Sequence, residues 1–337
     1  MALVRIVVPT YNRAALLREA LESARGQTFR DFELIIVDDG STDGTQDVVA
    51  EFVAADSRIK GELQANAGVA HARNRGIAAP GEHTYVAFLD SDDVWFPHHL
   101  ARAIAGLEAA PEAAMAFGKR KAVDGAGILQ ARGAIDFHER RPDALLRESR
   151  ALPMADAFLV PAEPCLRALL RSELSPWTSS VVIRRTKVER REWFDTRLEV
   201  LEDIDLFLDL AAHPFVFLDD VHGLYRYYGD NLTAGFDLAS PTTLRKQRIV
   251  LAHQQLKLRR CTYAEDVAHL RKEIAETAWL IGQCCMEQAD FAGARSAYLE
   301  SFRSEPAKRA VYGYINARLP NEMRTFIRNM RARHLSA

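Results

Sequence analysis

Asp90, Asp92 and Asp93 fall within one tetrapeptide, Asp90-Ser91-Asp92-Asp93, directly after the apolar run 85–89. Residues two apart at the end of an extended segment converge on one side of the chain, so the Asp90 and Asp92 carboxylates can share one hard divalent cation. Mg²⁺ or Mn²⁺ held by two carboxylates keeps coordination sites for phosphate oxygens, which favours a diphosphate-bearing ligand. Asp93 has two readings, a third carboxylate of this patch or a cap for the following turn. Asp39 follows the apolar run 32–37 and suits a carboxylate that accepts a ligand N–H or hydroxyl; a turn or helix-cap aspartate is the alternative. Glu202-Asp203 opens the helix-like stretch 204–212, where the helix dipole favours acidic residues whatever else they do.

The elements that would position these residues follow from the apolar pattern. Residues 4–8 form a β-favouring run stopped by Pro9, as a buried parallel strand would be. In residues 13–25, Leu16, Leu17, Ala20, Leu21 and Ala24 recur at helical spacing, and Gly26 stands at the C-terminal cap. Strand 32–37, helix 46–55, helix 69–78 and strand 85–89 complete the alternation. Strand, loop and helix repeated in this order predict a parallel sheet with helices on both faces and ligands at the carboxyl ends of the strands, where the polar clusters lie. Beyond residue 110 only 114–118 and 179–184 read as extended, separated by a Pro-rich segment with Pro153, Pro161 and Pro164. From about residue 244 onward the chain reads as helices, including 263–285 and 291–302.

The chain has 337 residues, 48% apolar and 27% charged, so it suits one large domain with a smaller appendage and excludes a disordered or fibrous class. No run is long and apolar enough for a transmembrane helix, and the short one at the N-terminus is too short for a signal peptide. Cys165, Cys261, Cys284 and Cys285 lack metal-site spacing and are expected as reduced thiols in the cytoplasm. Residues 241–337 carry 17 Lys+Arg against 9 Asp+Glu, leaving 27 against 37 in residues 1–240. The acidic part suits a domain that holds metal cations, whereas the basic part suits solvated helix faces, a partner or an anionic lipid surface.

Val7-Val8-Pro9-Thr10-Tyr11-Asn12-Arg13, Val37-Asp38-Asp39-Gly40-Ser41-Thr42-Asp43, Ala72-Arg73-Asn74-Arg75-Gly76 and Leu89-Asp90-Ser91-Asp92-Asp93 together resemble family 2 glycosyltransferases of the GT-A fold. The resemblance covers about residues 3–235. It implies a mostly parallel α/β domain, set at residues 1–240; the helical region at 241–337, read from the chain's own pattern, lies outside the resemblance. The implied activity is inverting, metal-dependent transfer of one sugar from a nucleotide-diphospho-sugar, most simply a UDP-sugar, to an acceptor hydroxyl of a glycan or lipid-linked molecule in cell-surface or secreted glycan assembly. It further implies Asp92 as the direct ligand of Mn²⁺ or Mg²⁺, with Asp90 nearer the ribose and Asp39 reading the uracil ring. Pro9, Tyr11, Asn66 and Arg73 would be nucleotide contacts, and Glu202-Asp203 would supply the general base, assigned to Asp203.

The sequence departs from that pattern twice. After Tyr225-Arg226 stand Tyr227 and Tyr228 where the family often has a histidine, and His222 nearby has no assigned place. The Gln-x-x-Arg-Trp run of processive synthases is missing, which favours single-sugar transfer. A sugar nucleotidyltransferase would want a Gly-rich, lysine-bearing loop that residues 9–13 do not form; a catalytically silent nucleotide-binding protein is the other alternative, and neither reading involves nucleic acid. Ala278 to Pro306 faintly resembles a single tetratricopeptide-type helix pair, for packing, homo-oligomer formation or a partner. In residues 324–335, Phe326, Ile327 and Met330 interleave with four arginines, so that peripheral membrane contact and helix packing are competing expectations.

Overall fold

The computed structural model describes residues 3–124, 143–198, 201–227, 238–320 and 323. The chain forms two compact units, Met1–Tyr228 and Gly229–Ala337. The amphipathic stretch 324–335 and Tyr228 lie outside the described residues.

The first unit begins with β1 (Val4–Thr10), α1 (Ala14–Arg25), β2 (Phe32–Asp38), α2 (Thr45–Ala55), β3 (Ile59–Leu63), α3 (Val69–Ala78) and β4 (Tyr85–Phe88). β1 pairs in parallel with β2 and β4, and β2 with β3. Alternate residues of the buried strands feed opposite faces. Ile6 and Val8 pack with Leu17 and Leu21 of α1, while Ile35 and Val37 pack with Ala72 of α3, so helices cover both faces. One local expectation needs correction and one holds. β1 does not stop at Pro9 but runs to Thr10, with Pro9 buried opposite Val37; near the strand end the missing N–H costs at most one ladder bond. Gly26 caps α1 as expected, with φ of −76° and its N–H donating to Glu22 O.

The sheet then changes character. It continues through β5 (Val94–Trp95), α4 (His99–Ala109), β6 (Met115–Asp124), α5 (Asp143–Leu146), β7 (Arg150–Ala151), β8 (Ala157–Val160), α6 (Ala162–Leu170), β9 (Val182–Arg184), α7 (Glu202–Leu210) and β10 (Phe215–Tyr227). Pro161 and Pro164 sit at the start of α6, where a helix has no intrahelical use for their missing N–H groups. The ten-stranded sheet has the order β3-β2-β1-β4-β9-β6-β10-β8-β7, with β5 also on β10. β9 runs antiparallel between β4 and β6, with Val182 opposite Ala87. The residues just before β9 therefore lie beside the carboxyl end of β4. They form a 3-10 turn, Thr178–Ser180, where the sequence pattern suggested continuous strand.

The second unit comprises α8 (Pro241–Arg260), α9 (Ala264–Glu287), α10 (Phe291–Ser304) and α11 (Lys308–Asn316). Asp290 caps α10 by accepting from Gly293 N at 2.8 Å. The Tyr298 ring fills the space a side chain would need at Gly282 and Gly313, which lets α9, α10 and α11 approach closely. All four cysteines are free thiols. Among the described residues no helix is long and apolar enough to cross a membrane.

Candidate active site

The parallel strands β1, β2 and β4 deliver their following residues to one edge of the sheet. Beyond β1, Tyr11 is exposed, while Asn12 takes φ of 50° and bonds across to the loop after β2: Asn12 N donates to Ser41 Oγ and Thr42 N to Asn12 Oδ1. Pro9 itself stays inside the sheet. Asp39 is buried and its carboxylate is already engaged. Oδ1 accepts from Gln64 Nε2 at 2.7 Å and Ala67 N at 2.9 Å, and Oδ2 accepts from Gly68 N at 2.8 Å. Asp39 thus holds the loop that leads into α3. Gly68 there has φ of 95°, a conformation that favours glycine. Asn66 is exposed in the same loop. The side chains of Thr10 and Asp38, paired across β1 and β2, leave Thr10 Oγ1 and Asp38 Oδ2 buried without a hydrogen-bond partner at this edge.

After β4 the three aspartates bond different partners. Asp90 Oδ1 accepts from Arg73 Nη2 at 2.7 Å. Asp92 Oδ2 accepts from Arg13 Nη1 at 2.5 Å, and a quarter of its side chain is exposed. Burial and the charge on Asp90 push the Asp92 carboxyl above its ordinary pKa, and Arg13 only partly opposes this. Asp93 is buried, and its Oδ2 accepts from Trp177 Nε1 at 2.9 Å and Ser179 Oγ at 2.6 Å. Burial, with Asp90 and Asp92 adding to it, pushes Asp93 well above the usual carboxylate range. Ser179 Oγ also accepts from Asp90 N at 3.0 Å, and Ser179 O accepts from the Trp95 indole.

Glu202 and Asp203 form the first turn of α7, entered through Leu201 in the left-handed region at φ of 67°. Buried Arg73 joins this turn to the 90–93 turn, donating through Nη1 to Glu202 and through Nη2 to Asp90, with its guanidinium 5.3 Å from the Phe194 ring centre. Burial alone would push this guanidinium down, but Asp90, Glu202 and Asp203 together hold it above its ordinary value. Burial pushes Glu202 up against the pull of Arg73. Asp203 Oδ2 accepts from Thr178 Oγ1 at 2.6 Å. The turn before β9 therefore positions acidic groups of both clusters: Thr178 for Asp203, Trp177 and Ser179 for Asp93. The pattern of the sequence singled out neither Thr178 nor Trp177 for this work. Arg226 of β10 is buried and donates to Asp92 O at 3.1 Å and to Glu19.

A family model, glycosyl transferase family 2, matches residues 5–157. The succinoglycan biosynthesis protein ExoW of Rhizobium meliloti is 31% identical over 255 residues, 73% of this chain and 76% of that protein. The putative glycosyltransferase EpsH of Bacillus subtilis is 30% identical over 63% of this chain and 56% of its own length. An uncharacterized glycosyltransferase of Nostoc is 46% identical over 103 residues, 30% of this chain and 31% of that protein. In fold, the chain is similar to S. aureus TarS 1-349 in complex with UDP, with a TM-score of 0.58 at 18% identity over 94% of this chain and 90% of that one. It is also similar to the mannosyltransferase PcManGT from Pyrobaculum calidifontis in complex with GDP-Man and Mn2+, with a TM-score of 0.52 at 17% identity over 93% and 86%. The chain belongs to glycosyl transferase family 2 and is a glycosyltransferase with the GT-A type of mixed α/β sheet followed by helices. The nucleotidyltransferase alternative falls with that membership.

Proposed function

We propose that the protein transfers a single sugar, with inversion, from a nucleotide-diphospho-sugar to an acceptor hydroxyl. The observation that carries this reading is one buried arginine, Arg73, that ties the two acidic turns together, bonding Asp90 of the 90–93 turn on one arm and Glu202, next to Asp203, on the other. The names of relatives, a succinoglycan biosynthesis protein and a putative teichuronic acid biosynthesis glycosyltransferase, support an acceptor within cell-surface or secreted glycan assembly.

The donor set at Asp90 and Asp92 fits a hard cation. Both are carboxylates, Asp92 is partly open, and its pKa is raised by burial and then by the charge on Asp90, which Arg13 only partly offsets. Asp92, with Asp90, would hold Mn²⁺ or Mg²⁺, which supplies charge stabilisation for the departing diphosphate. Asp93 is read as a positioning group, since Trp177 and Ser179 occupy its Oδ2. Tyr11 and Asn66, both exposed at this edge, remain available for the nucleotide. Asp39 and Arg73 act by holding that edge together. Asp203, oriented by Thr178, takes the proton from the acceptor hydroxyl as its oxygen bonds to the anomeric carbon and the bond from that carbon to phosphate breaks.

Calorimetric titration of UDP with and without Mn²⁺ tests the donor side. Wild type should bind UDP more tightly with the ion, and Asp92→Ala should lose that dependence. Unchanged metal dependence in the variant would remove Asp92 from the metal site.

A further inference from the structure

On the far side of the 90–93 turn, α4 and β10 bring together a second group of donor atoms. His98 stands at the N-cap of α4, and Asp220 and His222 lie on β10. One ligand atom from each falls within 4.8 Å of the others. His222 Nε2 is 3.0 Å from Asp220 Oδ1, and His98 Nε2 is 3.6 Å from Asp220 Oδ2. A tetrahedral site with bonds of the usual length sets its donors roughly 3.3 Å apart, so both separations fit a shared ion after small shifts.

Two backbone features build this group. The β6–β10 register shifts between Leu218 and Val221 and again between Val221 and Gly223, so Asp220 and His222 sit on an irregular stretch that turns side chains out of regular alternation. Opposite, Gly118 of β6 leaves the space that the His222 ring fills; a Cβ there would lie 2.0 Å from the ring. Behind His222, its Nδ1 faces His99 Nδ1 at 2.8 Å. We infer that His98, Asp220 and His222 form a second metal site for a borderline divalent ion such as Zn²⁺ or Co²⁺, separate from the Asp90 and Asp92 patch.

Two imidazoles with one carboxylate select Zn²⁺, Co²⁺ or Ni²⁺ over Mg²⁺, Ca²⁺ or Mn²⁺, which prefer all-oxygen donors. With Nε2 on the ion, His222 would carry its proton on Nδ1 and donate it to His99 Nδ1, which fixes the orientation of the ring. His98 Nε2 exchanges its contact with Val221 O, at 3.0 Å, for the ion, and its proton moves to Nδ1. Arg102 Nε donates to Asp220 Oδ2 at 3.2 Å, so the ion shares that carboxylate with a fixed positive charge and is held less tightly than in an uncontested site. The neighbouring Asp219 is taken by Lys119 Nζ at 2.8 Å. Since Phe96 N also donates to His222 O at 2.9 Å, the ion would staple the corner after the 90–93 turn onto the strand that carries Arg226.

Tag-free, chelator-treated full-length protein titrated with Co²⁺ alone, without nucleotide, tests this. Wild type should bind one equivalent with the strong visible d–d absorption of a low-symmetry site, displaced by Zn²⁺. His98→Ala, at a half-exposed position, should weaken binding at least tenfold and lose the absorption, and Asp220→Asn should do the same if His98→Ala fails to fold. Asp92→Ala should keep it. No absorption in wild type, full absorption in His98→Ala or Asp220→Asn, or its loss in Asp92→Ala would each overturn the assignment.

Discussion

The region from β1 to the 90–93 turn and the region from Trp177 to Arg226 contribute to one site by different means. The first is parallel and periodic, each strand handing an acidic or polar residue to the same edge. The second is an antiparallel insertion, β9, together with a helix start and a bulged strand. The first supplies Asp90, Asp92 and the loops around Asp39. The second supplies Asp203 and the side chains that orient Asp93 and Asp203, while Arg13 and Arg73 of the first hold Asp92, Asp90 and Glu202. A side chain of the right type is thus provided by one region and made useful by the other.

Removing the arginine that ties the two regions should have the largest effect on stability. Arg73→Met leaves Asp90 without its 2.7 Å partner and Glu202 buried without its cation, so a loss of about 3–5 kcal/mol is expected in urea unfolding, with transfer lost as well. An unfolding midpoint near wild type would break the comparison at its centre. Ser179→Ala removes a donor to Asp93 and an acceptor for Asp90 N, and should cost about 1–3 kcal/mol by the same measurement. Thr178→Val frees Asp203 from its orienting hydroxyl. Steady-state kinetics should show kcat reduced about tenfold with donor KM little changed; a change in KM alone would assign Thr178 to the donor side.

The smallest effect tests the seam where β4 and β9 begin and end. His83 accepts from Arg185 Nη1 at 2.9 Å, and burial, helped by Arg5 and Arg185, holds its pKa at about 4. An unfolded histidine titrates near 6.5, so the unfolded chain takes up the proton first as pH falls. The contribution of His83 is therefore complete above about pH 6.5 and is lost progressively toward about pH 4. Urea midpoints of wild type should fall between neutral pH and about pH 5, and His83→Gln should flatten that slope. An equal slope in the variant would assign the acid sensitivity to other groups.

The difference between the regions also explains what could be read from the sequence. β1, β2 and β4 announce themselves as apolar runs because both faces of each are buried, and the acids that follow them stand out by contrast. β3, Ile59–Leu63, is a largely exposed edge strand with Lys60, Gly61 and Glu62, so it carries no apolar alternation. β10 escaped because Asp219 and Asp220 interrupt its pattern where the register shifts. α4 could have been found, since Leu100, Ala103, Ile104 and Leu107 recur at helical spacing. Asp39 and Arg73 were legible as important but not in their contacts: residue type marks a carboxylate or guanidinium, whereas only the fold shows that Ala67, Gly68, Glu202 and Asp90 are its partners. Thr178 and Trp177 gave no signal, because one hydroxyl or indole carries no spacing pattern.

The central claim is that Asp203 serves the acceptor while the opposite cluster serves the donor. One preparation of Asp203→Asn, measured for turnover of a UDP-sugar and for UDP affinity with Mn²⁺, tests it most directly. The account predicts turnover reduced by about 10² to 10⁴ with UDP affinity unchanged, because an amide keeps the shape but cannot take the proton. Normal turnover, or a loss of affinity equal to the loss of rate, would contradict it.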